Sequence, residues 1–183
     1  PNQEINGLTC GAVGKRTVIE NVQVSFSGDD AFEFFGGAVN AKNLVSFCNL
    51  DDDFDTDFGY SGNLQFGVCF RSPFLADVSG SNGFESDNDA SGTYNAPRTM
   101  ANISNFTMIG PKATLSSVVN SNFKRGAHLR RSSLESIFNS VTIGWPIGLL
   151  IDGGNCEKAA SNDTLMYLNN IIGGCNTKLI ASA

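Results

Sequence analysis

Two stretches of this sequence, 22 residues apart, say nearly the same thing: Asp29-Asp30-Ala31-Phe32-Glu33-Phe34-Phe35-Gly36-Gly37 and Asp51-Asp52-Asp53-Phe54-Asp55-Thr56-Asp57-Phe58-Gly59. Fainter copies follow at residues 82–89 (NGFESDND), 126–132 (GAHLRRS) and 147–153 (IGLLIDG). Stacked on one another, these copies place Glu33, Asp55, Glu85, His128 and Leu149 in one outward column. Phe35, Asp57, Asp87, Arg130 and Ile151 fall in the next, with Arg131 beside it. Carboxylates one strand apart repel by roughly 1 kcal/mol in water, and by several times that when partly desolvated. Three arrangements answer that repulsion. Ca2+ could be held on the hard oxygens of Asp55, Asp57, Glu85 and Asp87. Arg130 and Arg131 could neutralise the end of the ladder. Or the face is solvated, with raised carboxyl pKa values.

The same side chains define the candidate ligand-binding surface: Glu33, Asp55, Asp57, Glu85, Asp87, His128, Arg130 and Arg131. A glycoside hydrolase needs two carboxyl groups about 5–9.5 Å apart, which Asp55, Asp57 and Glu85 could supply, with Arg130 as a further polar contact. Lyase chemistry on an acidic glycan needs a cation or base to neutralise the uronate, and a Lys or Arg to take the proton. No complete hydrolase or lyase motif set is present. The expectation is therefore a non-catalytic binding or structural component that engages a glycan or another partner, with lyase or hydrolase action as the alternative.

Strands must position these columns. Val18–Ser27, Ala41–Asn49, Gly62–Phe70, Ile103–Ile109, Asn139–Ile143 and Leu165–Ile172 are rich in β-branched and aromatic residues and alternate in polarity. An Asn recurs in or near each: Asn21, Asn43, Asn63 and Asn105, then Asn139 and Asn170. Asn tolerates left-handed backbone, and its amide both donates and accepts. Asn21, Asn43, Asn63 and Asn105 are therefore expected to stack as a structural ladder. The inward columns are Phe32, Phe54, Phe84, Ala127 and Gly148, and Phe34, Thr56, Ser86, Leu129 and Leu150. A repeat of 20–30 residues with this parity predicts an all-β solenoid, a right-handed parallel β-helix of about six coils. The chain is expected to form a single domain over residues 1–183, with loops leaving the stack near 71–82, 91–101 and 112–121.

Charge layout excludes some functions. Residues 29–89 carry 12 acids and two bases, whereas residues 112–131 carry five bases and no acid. At a net charge of −6, no dominant basic field exists for general nucleic-acid binding. No run of 18 apolar residues offers a membrane span. The five cysteines show no zinc-ligand spacing. Cys48 and Cys69 lie in strand-like runs and are expected as buried thiols, while Cys156 and Cys175 are candidates for a bridge. Pro1–Asn6 reads like the middle of a longer chain, so upstream coils are expected. A second polypeptide is expected to cap the N-terminal end of the stack.

Residues 32–37 (FEFFGG), 39–44 (VNAKNL), 51–60 (DDDFDTDFGY), 82–90 (NGFESDNDA) and 123–131 (FKRGAHLRR) together resemble a group of Bacteroidetes-type secreted or lipid-anchored right-handed parallel β-helix proteins. The likeness runs from about residue 5 to 153. It implies a pectate-lyase-like fold and a location outside the cell, secreted or on the outer face of a Gram-negative outer membrane. It implies no particular reaction.

Overall fold

The computed structural model describes residues 5–182. The chain climbs as a right-handed coil, alternating a short strand with a long one. The strands are β1 (Leu8–Gly11), β2 (Val18–Ser25), β3 (Phe32–Phe35), β4 (Asn40–Phe47), β5 (Phe54–Asp57), β6 (Asn63–Phe70), β7 (Phe84–Ser86) and β8 (Asn102–Ile109). They continue as β9 (Arg125–Leu129), β10 (Ser136–Phe138), β11 (Val141–Ile143) and β12 (Ile147–Asp152). Helix α1 (Gly154–Ser161) interrupts, and β13 (Tyr167–Leu168), β14 (Ile171–Gly173) and β15 (Thr177–Ser182) follow. One parallel sheet runs β1-β3-β5-β7-β9-β12-β15 (sheet A). The other runs β2-β4-β6-β8-β10-β13, with β11 and β14 continuing its upper half (sheet B).

The long strands bend at their fourth residue. Asn21, Asn43, Phe66 and Asn105 occupy that place, all with φ between 56 and 60°. Asn139 and Asn169 continue the column and split the later coils into β10/β11 and β13/β14. Asn43 donates to Asn21 Oδ1 at 3.0 Å, so the ladder forms there. Asn63 belongs to a different column. It donates through both its backbone N–H and its amide to Asn40 Oδ1, and accepts from Asn102. Phe66 stands where the first ladder would have its third Asn, an uncommon conformation for a bulky residue.

Inside, Phe32, Phe54 and Phe84 stack at 5.1 and 5.6 Å, and Phe106 meets the last two edge-on. Gly67 makes that possible, since a Cβ there would lie 1.9 Å from the Phe106 ring. A polar seam accompanies the phenylalanines: Thr56 donates to buried Glu135, and Thr56, Ser86 and Ser133 are linked by hydroxyl contacts. Arg71 and Asp53 form a second buried pair at 3.1 Å.

Three sequence expectations need correction. The fifth coil sits one residue later: Ala127 pairs with Leu149, His128 with Leu150 and Leu129 with Ile151. Gly126 and Gly148 stack instead, because a Cβ at either would strike a sheet B side chain, Thr142 or Ile172. Asp152, not Ile151, therefore follows Arg130 in its column. Leu165–Ile172 forms two strands broken at Asn169 rather than one. Cys156 and Cys175 are both free and buried, like the other three cysteines. The one helix among the described residues is α1.

Candidate functional site: an acidic notch on sheet A

The notch lies where β3, β5 and β7 begin. Before β3 and β5, an Asp side chain accepts a backbone N–H of the following coil. Asp52 N–H donates to Asp30 Oδ1 at 2.8 Å, and Asn82 N–H donates to Asp52 Oδ1 in turn. Asp30 and Asp52 thus each have one oxygen fixed by the following coil, and Asn82 continues their column. Register then sets Glu33, Asp55, Glu85 and His128 side by side. The resulting cavity, about 210 Å3, is walled by Asp30, Asp51, Asp52, Asp55, Glu85, Arg125 and Arg130.

Carboxylate oxygens crowd here. Asp30, Glu33 and Asp55 have oxygens within 4.8 Å of one another, and so do Asp52, Asp55 and Glu85. Burial raises Asp55 and Asp52 well above the ordinary carboxylate range, and each neighbouring carboxylate adds to the effect. Asp30 is raised for the same reasons. Glu33 is pushed up to about 7 by burial, against the lowering effect of its hydrogen bond from Asn6. Asp55 Oδ1 is enclosed and accepts no hydrogen bond.

The basic residues are unequally engaged. Arg130 pairs with Glu85 and grips Asp87 through Nε and Nη2 at 2.9–3.2 Å. Against the lowering effect of burial, these partners hold Arg130 above its ordinary value. Arg131 adds a contact to Asp87 at 3.1 Å. His128 is 3 % exposed, with Nε2 2.9 Å from Asp152 and Nδ1 3.5 Å from Glu85. Arg125 differs: burial lowers its pKa, and its enclosed Nε donates no hydrogen bond.

Of the residues singled out from the sequence, Glu33, Asp55 and Glu85 meet in the notch, with Arg130 on its wall. Asp57 and Asp87 lie outside the carboxylate groupings found among the described residues. Asp57 accepts from Phe58 N–H at 2.6 Å, and burial raises its carboxyl to about 6. Asp87 is taken by two guanidiniums, so the four-carboxylate calcium set of the sequence does not assemble. Asp30, Asp51, Asp52, Asn82 and Arg125 join the site unforeseen. Their signal was present, since Asp29-Asp30 and Asp51-Asp52 stand at matching positions before Phe32 and Phe54.

Arg130 also borders a second cavity of about 530 Å3, which reaches Arg131, Asp152, Ser91 and Asn155. Ser91 connects this to a hollow against Phe58, and Asn155 to one against Tyr94. Phe58 and Tyr94 are 53 % and 56 % exposed. The notch and these three hollows thus adjoin through the shared wall residues Arg130, Ser91 and Asn155, and two of them reach exposed aromatic rings.

No helix among the described residues is long and apolar enough to cross a membrane. No curated protein and no solved structure matches the chain. A family model described as the pectate-lyase like beta helix domain matches residues 1–182. With the two parallel sheets and their coil-by-coil register, this match places the chain in the pectate-lyase-like β-helix family.

Proposed function

We propose that this protein is a glycan-binding β-helix that acts outside the cell without cleaving its ligand. The observation that carries the reading is this run of adjoining hollows. It joins fixed carboxyl acceptors and guanidinium donors at one end to Phe58 and Tyr94 at the other. Sugar hydroxyls both donate and accept, and pyranose faces pack on exposed rings, so a chain of several sugars matches the sequence of surfaces. The notch is poorly arranged for hydrolysis by inversion. Within each of its two carboxyl triads the oxygens lie within 4.8 Å of one another, whereas that mechanism leaves about 6.5–9.5 Å for a water. Arg130 and Asp87 already satisfy each other. The exposed edge at β1 and β2, where Ile5 and Val18 are 72 % and 76 % exposed, is the place for a capping polypeptide in this reading.

Affinity electrophoresis against a panel of neutral and uronate polysaccharides tests the proposal. Retardation by at least one glycan is expected, with the glycan intact after prolonged incubation and the retardation lost in Phe58→Ala and Tyr94→Ala. Absence of retardation throughout the panel, or variants that bind like the wild type, would overturn it. One observation favours the lyase alternative: Arg125, its pKa lowered by burial, lines the notch as a candidate base. A rise in ultraviolet absorbance with a uronate polymer, abolished in Arg125→Met, would establish that reading instead.

A further inference from the structure

We propose that two copies of this chain associate face to face through the outer surface of sheet B. Register carries one column through Ser25, Phe47, Phe70, Ile109, Ile143 and Gly173. A second runs through Gln23, Val45, Val68, Thr107, Val141 and Ile171. Between the columns, Ser46, Cys69 and Met108 are buried in the interior, so strand alternation turns both columns outward. On that outer surface the rings of Phe47 and Phe70 stack at 5.8 Å, and Phe26 meets Phe47 edge-on at 5.6 Å. Phe66, at the bend of β6, borders a shallow hollow together with Val45, Val68 and Thr107.

The extent of this surface suits a second copy. Phe26, Phe66, Val68, Phe70, Ile143 and Ile171 are 36–64 % exposed. At about 200 Å2 for a fully exposed aromatic residue and somewhat less for Val or Ile, the face offers about 700 Å2 of apolar surface. The largest apolar patch on a typical monomer is about 300–600 Å2. Each partner in a standard interface contributes about 800 Å2. Charge points to the same occupant. The chain carries −6, so two copies repel unless they meet where neither is charged. Residues 22–25, 44–47, 67–70, 106–109, 141–143 and 171–173 include no charged side chain. Glu20 and Lys42 lie before the bend and pair with each other at 3.3 Å. The column from Phe47 to Ile143 also has no side-chain hydrogen-bonding group to offer a sugar.

The two columns are self-complementary, as a two-fold interface requires. An axis along the strands, between β6 and β8, reverses the stacking direction and lays each column on its own inverted copy. Phe70 then faces the partner's Ile109, and Phe47 faces the partner's Ile143. The small ends, Ser25 and Gly173, face each other. In the second column Val68 meets the partner's Thr107, and Val45 the partner's Val141. Large rings of one copy thus lie over smaller side chains of the other, which lets two sheet faces interdigitate at about 10 Å.

Sedimentation velocity on the unaltered chain, from micromolar to submillimolar concentration and without glycan, tests the proposal. A species of twice the 19.4 kDa chain mass is expected. Phe70→Lys and Ile109→Glu change side chains on the outer surface, and each should weaken association at least tenfold. Mixing the two variants should restore the dimer. One contact then joins opposite charges across the axis, and the other keeps Phe70 against Ile109. Far-ultraviolet circular dichroism checks that both variants are folded. A wild type that stays monomeric throughout would overturn the proposal, as would a dimer indifferent to both substitutions. A monomer that sediments with phosphatidylcholine vesicles, and loses this in Phe70→Lys, would overturn it in favour of a lipid surface. Failure to bind glycan would leave these results untouched.

Discussion

In the absence of divalent cation, Asp55→Asn should make the protein more stable at pH 8. Asp55 belongs to two triads and so has four carboxyl neighbours, Asp30, Glu33, Asp52 and Glu85, with oxygens within 4.8 Å. One pair of full charges at that distance repels by about 3–4 kcal/mol at an effective dielectric of 20. Protons relieve part of this: burial, then Asp30, Glu85, Asp52 and Glu33, raise the Asp55 carboxyl well above its ordinary value. A carboxyl raised on folding contributes fully below its unfolded pKa, and that contribution is lost as pH climbs toward the folded value. Asn has the same shape and neither the charge nor the proton requirement. A gain of about 2–4 kcal/mol is expected at pH 8 and almost none at pH 4. For a chain of this size, that corresponds to a rise of roughly 5–10 °C in melting temperature. The assay is thermal melting in chelator at both pH values. A wild type more stable than Asp55→Asn at pH 8 in chelator would refute the crowding of charge on which this reasoning depends.

Three further outcomes follow from the interior. Glu135 is fully buried, and burial raises its pKa to about 8 despite hydrogen bonding with Thr56 and Ser86. Its contribution is complete below the ordinary value near 4.5 and is lost as pH rises to about 8. Glu135→Gln should therefore remove up to about 5 kcal/mol of pH-dependent destabilisation over that interval, measured by denaturant melts at pH 5 and 8. Phe66→Asn should raise stability by about 1 kcal/mol, because it puts a residue tolerant of positive φ into the ladder position between Asn43 and Asn105; thermal melts decide it. Arg71→Met should cost about 3–5 kcal/mol by stranding Asp53, and much of the loss should return in the Asp53→Asn/Arg71→Met double variant, read by the same melts.

What could be seen in the sequence, and what could not, follows from how a β-helix stores information. Phe32, Phe54 and Phe84 recur in phase because each stacks on the last, so a 22-residue repeat exposes the fold and the outward column of Glu33, Asp55 and Glu85. Beyond Phe84 that logic weakens. Ala127 replaces the aromatic, the core is filled from the side by Trp145 and Phe106, and the strongest alignment marks become Gly126 and Gly148. Those glycines are fixed by contacts with Thr142 and Ile172 on the other sheet, a long-range cause that no local pattern records; hence the one-residue slip that hid Asp152. The notch was half visible for a related reason. Side chains within strands announce their neighbours through parity, but Asp30, Asp52 and Asn82 stand just before the strands, where parity does not apply. Their stacking depends on the Asp30 and Asp52 carboxyls each reaching the backbone N–H of the next coil, a distance set by the coil and not by the residues. Asp57 and Asp87 follow parity yet stand outside the carboxylate groupings, and the sequence does not show that Arg130 and Arg131 reach down one coil to Asp87. In a solenoid, column membership is written in the repeat, whereas the partner that wins each charged side chain is decided between coils. The carboxylates left without an arginine, Asp55 above all, are the ones open to a ligand.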